Sequence, residues 1–250
     1  MQFHRNWSTL LLLLLTNLGW SQDKKLPDPK EVLRALDYLY RADSSQAEMT
    51  MTIETPEWTR SLSMQVWSKG LDHTLIRILS PKKDRGISTL KQGDQMWNFF
   101  PKIDRVMRIP PSMMMGSWMG SDLTNDDLVR DSSYEEDYTY TIKKVDDKLV
   151  LVLTPREATV SVWGRIEMRM KVEKPWLPLE QSFFNERDEA VRRITFSDVK
   201  DFEGRKIPSK MEVHSLTKKG HKTSIEYQSL KFDIKLEEDI FSLRNLQQGI

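Results

Sequence analysis

Residues able to do covalent chemistry are few and poorly placed for it. Of the four histidines, His4 lies in the leader, and His73, His214 and His221 fall in separate predicted strands or turns with no ligand spacing between them. With no cysteine in 250 residues, a zinc or redox centre would need a histidine–carboxylate cluster, and none is found. No metal or cofactor is expected. The sequence has neither a Gly-x-Ser-x-Gly elbow nor a glycine-rich phosphate loop. The acidic runs Asp126-Asp127 and Glu135-Glu136-Asp137 read as a helix start and a solvated loop, because paired catalytic carboxylates normally sit on rigid strands in a cleft. No catalytic residue is assigned and no enzyme is expected. Basic residues lie scattered on outer strand faces without interleaved aromatics, so no nucleic-acid partner is expected either.

The informative set is apolar. Met113, Met114, Met115, Trp118 and Met119 fall within seven residues of a segment between predicted strands. Two readings stand open: the segment completes the protein's own core, or it shelters an apolar ligand. Methionine is unbranched and polarizable and suits surfaces that accept varied shapes. The candidate ligand-binding set adds Trp97 and Phe99, which share a strand face and are taken to point inward, and the strand methionines Met49, Met51, Met168 and Met170. Arg105 and Arg108 flank the segment and either pair across strands or contact a polar head group at the rim.

Pattern predicts the elements that position these residues. Asp28-Pro29-Lys30-Glu31 starts a helix, with Asp28 as cap and Glu31 reaching back, and an apolar stripe from Val32 to Tyr40 carries it to about Ala42. From Gln46 the period becomes two, and ten or more strands follow. Asp146-Asp147 marks a tight hairpin, and Thr124 with Asp127 forms a capping box for a short second helix. The ordered part is expected to end near Phe241. Strands joined by short turns, each with one apolar and one charged face, argue a mainly β antiparallel meander. A flat sheet would expose its apolar face, so the sheet is expected to curl into a barrel or half-barrel, plugged by the leading helix and the Ser112 to Asp131 segment.

Residues 1–21 read as a secretory signal: Arg5, an unbroken leucine run from Leu10 to Leu15 too short to span a bilayer, and Gly19-Trp20-Ser21 before the cut. Residues 22–250 are then a single exported, soluble domain, not lipidated through an N-terminal cysteine. Charged residues make up 30% and the formal net charge is +1. That balance gives no whole-molecule field for steering toward an anionic partner.

Gly93-Asp94-Gln95-Met96-Trp97-Asn98-Phe99-Phe100-Pro101 and Val152-Leu153-Thr154-Pro155 resemble strands of periplasmic lipoprotein carriers of the LolA type. Arg105 to Pro111, leading to Met119-Gly120-Ser121-Asp122, resembles the broader group of outer-membrane lipoprotein-sorting-like proteins. The order of elements matches along nearly all of residues 28–241. The resemblance implies an unclosed β-barrel whose concave face is covered by an N-terminal helix and short lid helices. It also implies acyl-chain binding in that concavity and transit across the periplasm. One departure is plain: the carriers have a strand arginine that ties the lid shut, and here Gly70 stands after Trp67-Ser68-Lys69.

The expected function is a periplasmic carrier of acyl chains of lipoproteins or other lipids, moving from the inner toward the outer membrane. A resistance-nodulation-division (RND) type exporter or an ABC transporter is the implied donor, with an outer-membrane acceptor. The alternative is a periplasmic sensor or adaptor that binds such an exporter, or another protein, through the apolar lid segment. A hydrolase would depend on one carboxylate or histidine, and none can be nominated.

Overall fold

Asp28 does open a helix. Its carboxylate accepts from the Lys30 backbone N–H at 3.0 Å, and Pro29 begins α1 (Pro29–Asp37). Glu31 does not return to the cap; it pairs with Lys174 at 2.5 Å. The helix stops five residues before the expected Ala42. Tyr40 leaves its stripe to stack on Tyr227, ring centroids 5.1 Å apart, with its hydroxyl donating to the Pro208 carbonyl at 2.9 Å.

In the computed structural model, which describes residues 25–130, 134–157, 159, 161–237 and 239–248, thirteen strands form one antiparallel sheet. They are β1 (Ser44–Glu54), β2 (Thr59–Lys69), β3 (His73–Ser80), β4 (Ser88–Gln92), β5 (Gln95–Phe100), β6 (Arg105–Arg108) and β7 (Tyr138–Val145), followed by β8 (Lys148–Pro155), β9 (Arg165–Lys171), β10 (Pro178–Phe184), β11 (Ala190–Phe202), β12 (Arg205–Ser215) and β13 (Lys222–Phe232). The spatial order is β6-β5-β4-β3-β2-β1-β13-β12-β11-β10-β9-β8-β7. Each strand pairs with its neighbour in sequence except that β1 pairs with β13, which leaves β6 and β7 as the edges. This is an unclosed antiparallel half-barrel. Bulges at Glu48/Met49, Ser63/Met64 and Phe183/Phe184 add the local twist that curls it. The secretory signal assigned to residues 1–21 lies outside the described residues, among which no helix is long and apolar enough to cross a membrane.

Alternation turns one side chain in two toward the concave face. Met51, Ile53, Leu62 and Met64 are fully buried there. Toward β7, α1 drives Val32 and Leu33 onto Leu149, Leu151, Ile166 and Met170. The short helices α2 (Asn125–Arg130) and α3 (Tyr134–Asp137) follow the methionine segment. Glu135 of α3 accepts from the Arg34 guanidinium of α1 at 2.9 and 3.1 Å and also pairs with Lys30.

The convex face has its own apolar layer. Order does not end at Phe241; α4 (Leu243–Gln248) follows. Phe241 and Leu246 pack on Trp67, Leu75, Leu90 and Phe99 from outside the sheet. The Arg77 guanidinium donates to the Asn245 carbonyl at 2.8 Å and the Gln92 amide to the Phe241 carbonyl at 2.7 Å. That layer explains why Trp97 and Phe99 do not face inward as expected. Both parities of β5 are apolar, and the C-terminal segment claims theirs, leaving Met96 for the concave side.

Leu246 is fully buried, so Leu246→Ala should destabilise the fold by about 2–4 kcal/mol through lost transfer energy and the cavity left behind. Urea denaturation with an unchanged m-value checks it. The hydrogen bond from Arg34, reinforced by Lys30, holds the Glu135 carboxyl at about 2, below its ordinary 4.5. A depressed carboxylate contributes above its ordinary pKa and loses that contribution as pH falls through the folded value. The α1–α3 tie should therefore weaken only below about pH 4.5 and be lost near 2. An NMR titration of the Glu135 carboxyl should have its midpoint near 2, returning toward 4.5 in Arg34→Gln.

Candidate functional site

The concave face is not filled. A cavity of about 310 Å³ lies between the sheet and its cover. A packing defect holds a water in about 10–15 Å³, and ligand sites start near ~300 Å³, so this is space of ligand size. Its floor comes from cross-strand neighbours. Ala47, Val66, Ile76 and Thr89 form one row across β1 to β4, and Met49 faces Met64 in the next. Met168, Phe183, Ile194 and Met211 continue the wall on the β9–β12 side. Leu36, Leu39 and Tyr40 roof it from α1 and the turn after it, Leu123 from just before α2 and Leu128 from within it. Burial pushes the Tyr40 phenol up, helped by Tyr227, so it stays a neutral donor.

The cover is tied down by polar contacts. Thr124 and Asp127 form the expected box: the Asp127 carboxylate accepts from the Thr124 backbone N–H at 2.7 Å, and the Thr124 hydroxyl oxygen accepts from the Asp127 N–H at 3.1 Å. The same carboxylate takes two bonds from Arg192 on β11, at 2.6 and 2.8 Å. The Arg192 guanidinium lies 3.9 Å from the Phe183 ring centroid and 4.7 Å from that of Trp163. On the β13 side, the Thr223 hydroxyl donates to the Asp122 carboxylate at 2.8 Å and accepts from the Asp122 N–H at 2.9 Å.

Within the methionine segment only Trp118 enters the cavity wall. It is 3% exposed and donates from its indole N–H to the Thr89 hydroxyl at 3.2 Å. Met114 and Met119 are half-buried against the core beside it. Met113 and Met115 are 55% and 43% exposed. Of the strand methionines, Met49, Met51 and Met168 line the cavity, while Met170 is buried beneath α1. Trp97 and Phe99 lie on the convex side. Arg105 and Arg108 are exposed on the edge strand β6, opposite Phe100 and Trp97, and neither is in the cavity wall. The wall also contains Tyr40, Trp163, Phe183 and Arg192, which the sequence reading did not single out. Only the strand parity set by Met168 could have pointed to Phe183, which stands near it on β10.

A family model described as "Uncharacterized protein" matches residues 70–248. The chain belongs to that family, and its fold is LolA-like. No curated protein matches it in sequence. Three solved structures share its architecture. A DUF1329 family protein from Desulfovibrio piger is 24% identical, covering 87% of this chain and 97% of that one with a TM-score of 0.76. A putative outer membrane lipoprotein-sorting protein domain from Vibrio parahaemolyticus is 20% identical, at 88% and 100% coverage and a TM-score of 0.75. A LolA superfamily protein from Nitrosomonas europaea is 19% identical, at 88% and 99% coverage and a TM-score of 0.72. At these identities the likeness concerns the fold.

On this LolA-like frame Gly70 has a local reason. It holds a φ of +56° in the turn between β2 and β3, a conformation that strains an arginine. The arginine that fastens the cover to the sheet is on β11. Arg192→Leu leaves the Asp127 carboxylate without its cation and should cost on the order of 3 kcal/mol. A cycle with Asp127→Asn, read by urea denaturation, should show that the two losses are not additive.

Proposed function

We propose that this protein is a periplasmic carrier. It takes acyl chains of lipoproteins or other lipids into the concave cavity and shuttles them from the inner toward the outer membrane. The observation that carries this reading is the cavity: about 310 Å³ left open in a half-barrel whose remaining concave surface is close-packed, with a floor of flexible aliphatic and methionine side chains. A protein that only needed a core would have filled it, since each buried methylene is worth about 0.8 kcal/mol. The same figure explains why cargo would need a carrier: leaving a chain of about fifteen methylenes in water costs on the order of 12 kcal/mol.

The architecture shared with a putative lipoprotein-sorting domain supports the reading. In this proposal residues 1–21 direct export and are removed, and residues 22–250 form the carrier. An RND-type exporter or an ABC transporter acts as donor and an outer-membrane component as acceptor. Transfer breaks no covalent bond, so the protein is not an enzyme and no side chain is assigned a catalytic role. Trp118, Met49, Met51 and Met168 contact the chain, while Met114 and Met119 support Trp118 from behind.

Native mass spectrometry of protein purified without added lipid should show bound acyl species, and a fluorescent fatty-acyl probe should bind with saturation. Ala47→Phe projects a ring into the cavity from its floor and should weaken the probe about tenfold or more. Protein that is consistently empty and takes up no probe overturns the reading.

A further inference from the structure

One end of the cavity floor is polar, and the strand register is what makes it so. Ser45 pairs with Ser68, Ser68 with Thr74, and Thr74 with Lys91, so four polar side chains stand side by side across β1, β2, β3 and β4. All four line the cavity. Two residues further along each strand the row is Ala47, Val66, Ile76 and Thr89. The polar row is enclosed: Ser45 is 5% exposed, Ser68 3% and Lys91 2%. The two serine hydroxyls bond each other at 2.7 Å. The Lys91 ammonium donates to the Leu71 carbonyl at 2.6 Å, which fixes its charge at the wall. The Thr74 hydroxyl oxygen is buried without a hydrogen-bond partner. Leaving such a group unmet costs free energy, and a ligand oxygen beside it recovers that cost.

Charge is segregated in the same way. The cavity-lining residues of β1 to β4 include one cation, Lys91, and no anion. The carboxylates in the wall come from elsewhere: Asp37 at the end of α1, Asp126 and Asp127 on α2, and Glu180 on β10. Asp127 is held by Arg192, and Glu180 lies 3.5 Å from Arg193. With Arg192, Arg41, four residues before Ser45, brings the cations of the lining to three. A fixed positive charge in a low-dielectric wall favours an anion more strongly than it does in water.

We propose that the Ser45–Ser68–Thr74–Lys91 row is a head-group subsite that selects amphiphiles with an anionic head, a carboxylate or a phosphate monoester, and sets their orientation. The head oxygens accept from Lys91 and Thr74, and the chain runs away from the row over Ala47, Val66 and Ile76. This rests on the carrier reading and adds to it a ligand class and a direction of insertion.

The test is displacement of a fluorescent acyl probe from the full-length mature protein at pH 8. Four competitors share one palmitoyl chain: palmitate, palmitoyl lysophosphatidate, and the uncharged methyl palmitate and monopalmitin. The anions should compete about tenfold better than the neutral pair. The stronger of the two anions tells whether a carboxylate or a phosphate is preferred, and equal strength supports the shared chemistry. In Lys91→Met the anion-to-neutral ratio should fall toward one, and in the isosteric Thr74→Val it should fall part of the way. If Lys91→Met does not fold, Thr74→Val reads the same ratio. Equal competition by all four in the unmodified protein, or a ratio unmoved by the substitutions, overturns the subsite and leaves the carrier standing. No displacement by any of the four, with no probe uptake, overturns both.

Discussion

The pairing of the first strand with the last governs the rest of the molecule. Ten register pairs join β1 to β13, from Ser45↔Phe232 to Glu54↔Lys222. That seam puts the first and last strands at the middle of the sheet and both sheet edges, β6 and β7, in the middle of the chain. The connection between the edges must therefore cross the open side of the half-barrel. Residues 109–130 and 134–137 lie on that crossing and form the cover. The seam joins the most distant strands in sequence, so the loop it closes is the longest available and costs the most chain entropy before any contact offsets it. Hairpins on either side can form first, but the concave space exists only once the seam has closed.

Much of this was legible in the sequence because local rules and the final fold agree. Asp28 caps α1, Thr124 and Asp127 form their box, Asp146-Asp147 turns a hairpin, and the alternation from Arg165 to Lys171 is a strand with Ile166, Met168 and Met170 buried. Strand parity failed where alternation carried no information. Along β5, Met96, Trp97, Phe99 and Phe100 are all apolar, and periodicity cannot choose a face when both are greasy. The choice was made 140 residues later by Phe241 and Leu246, which cover Trp97 and Phe99 from outside. A sheet with apolar layers on both faces needs a second covering element, and the helical segment after Phe241 was the one left unassigned.

The methionine segment shows a second limit of composition. Its residues share chemistry but not position. Pro110 and Pro111 end β6 and begin a 3-10 turn, Pro111–Met113, which holds Met113 out in solvent. The chain then returns through a bridge between Ser117 and Thr124, with the Trp118 N–H donating to the Leu123 carbonyl at 2.7 Å. That narrow loop has one inward position, and Trp118 takes it. Met119 adopts a φ of +53°, unusual for a non-glycine, so that the chain can turn back behind the indole. Counting methionines identified the cover, whereas the backbone decided which of its side chains meets the cavity.

The cover is held by polar ties in addition to apolar packing, and the ties bear on access to the cavity. Away from its polar end the floor is apolar, and it belongs to the sheet, where strand pairing fixes it. The cover is fastened by the Arg192–Asp127 pair, the Asp122–Thr223 bonds and the single indole bond from Trp118 to Thr89. Hydrogen bonds exchanged for water cost only about 0.5–1.5 kcal/mol each on balance, although breaking a buried ion pair costs more. Trp118, Met114, Met119 and Leu128 also pack on the core, so moving the cover aside breaks these bonds and exposes that apolar contact, while the strand pairing of the sheet beneath is untouched. If the apolar floor also formed the cover's only attachment, opening would expose the whole core and approach unfolding. Under the carrier reading, affinity for the chain is set mainly by the floor and access to it by the tie at Arg192, a residue that also forms part of the wall.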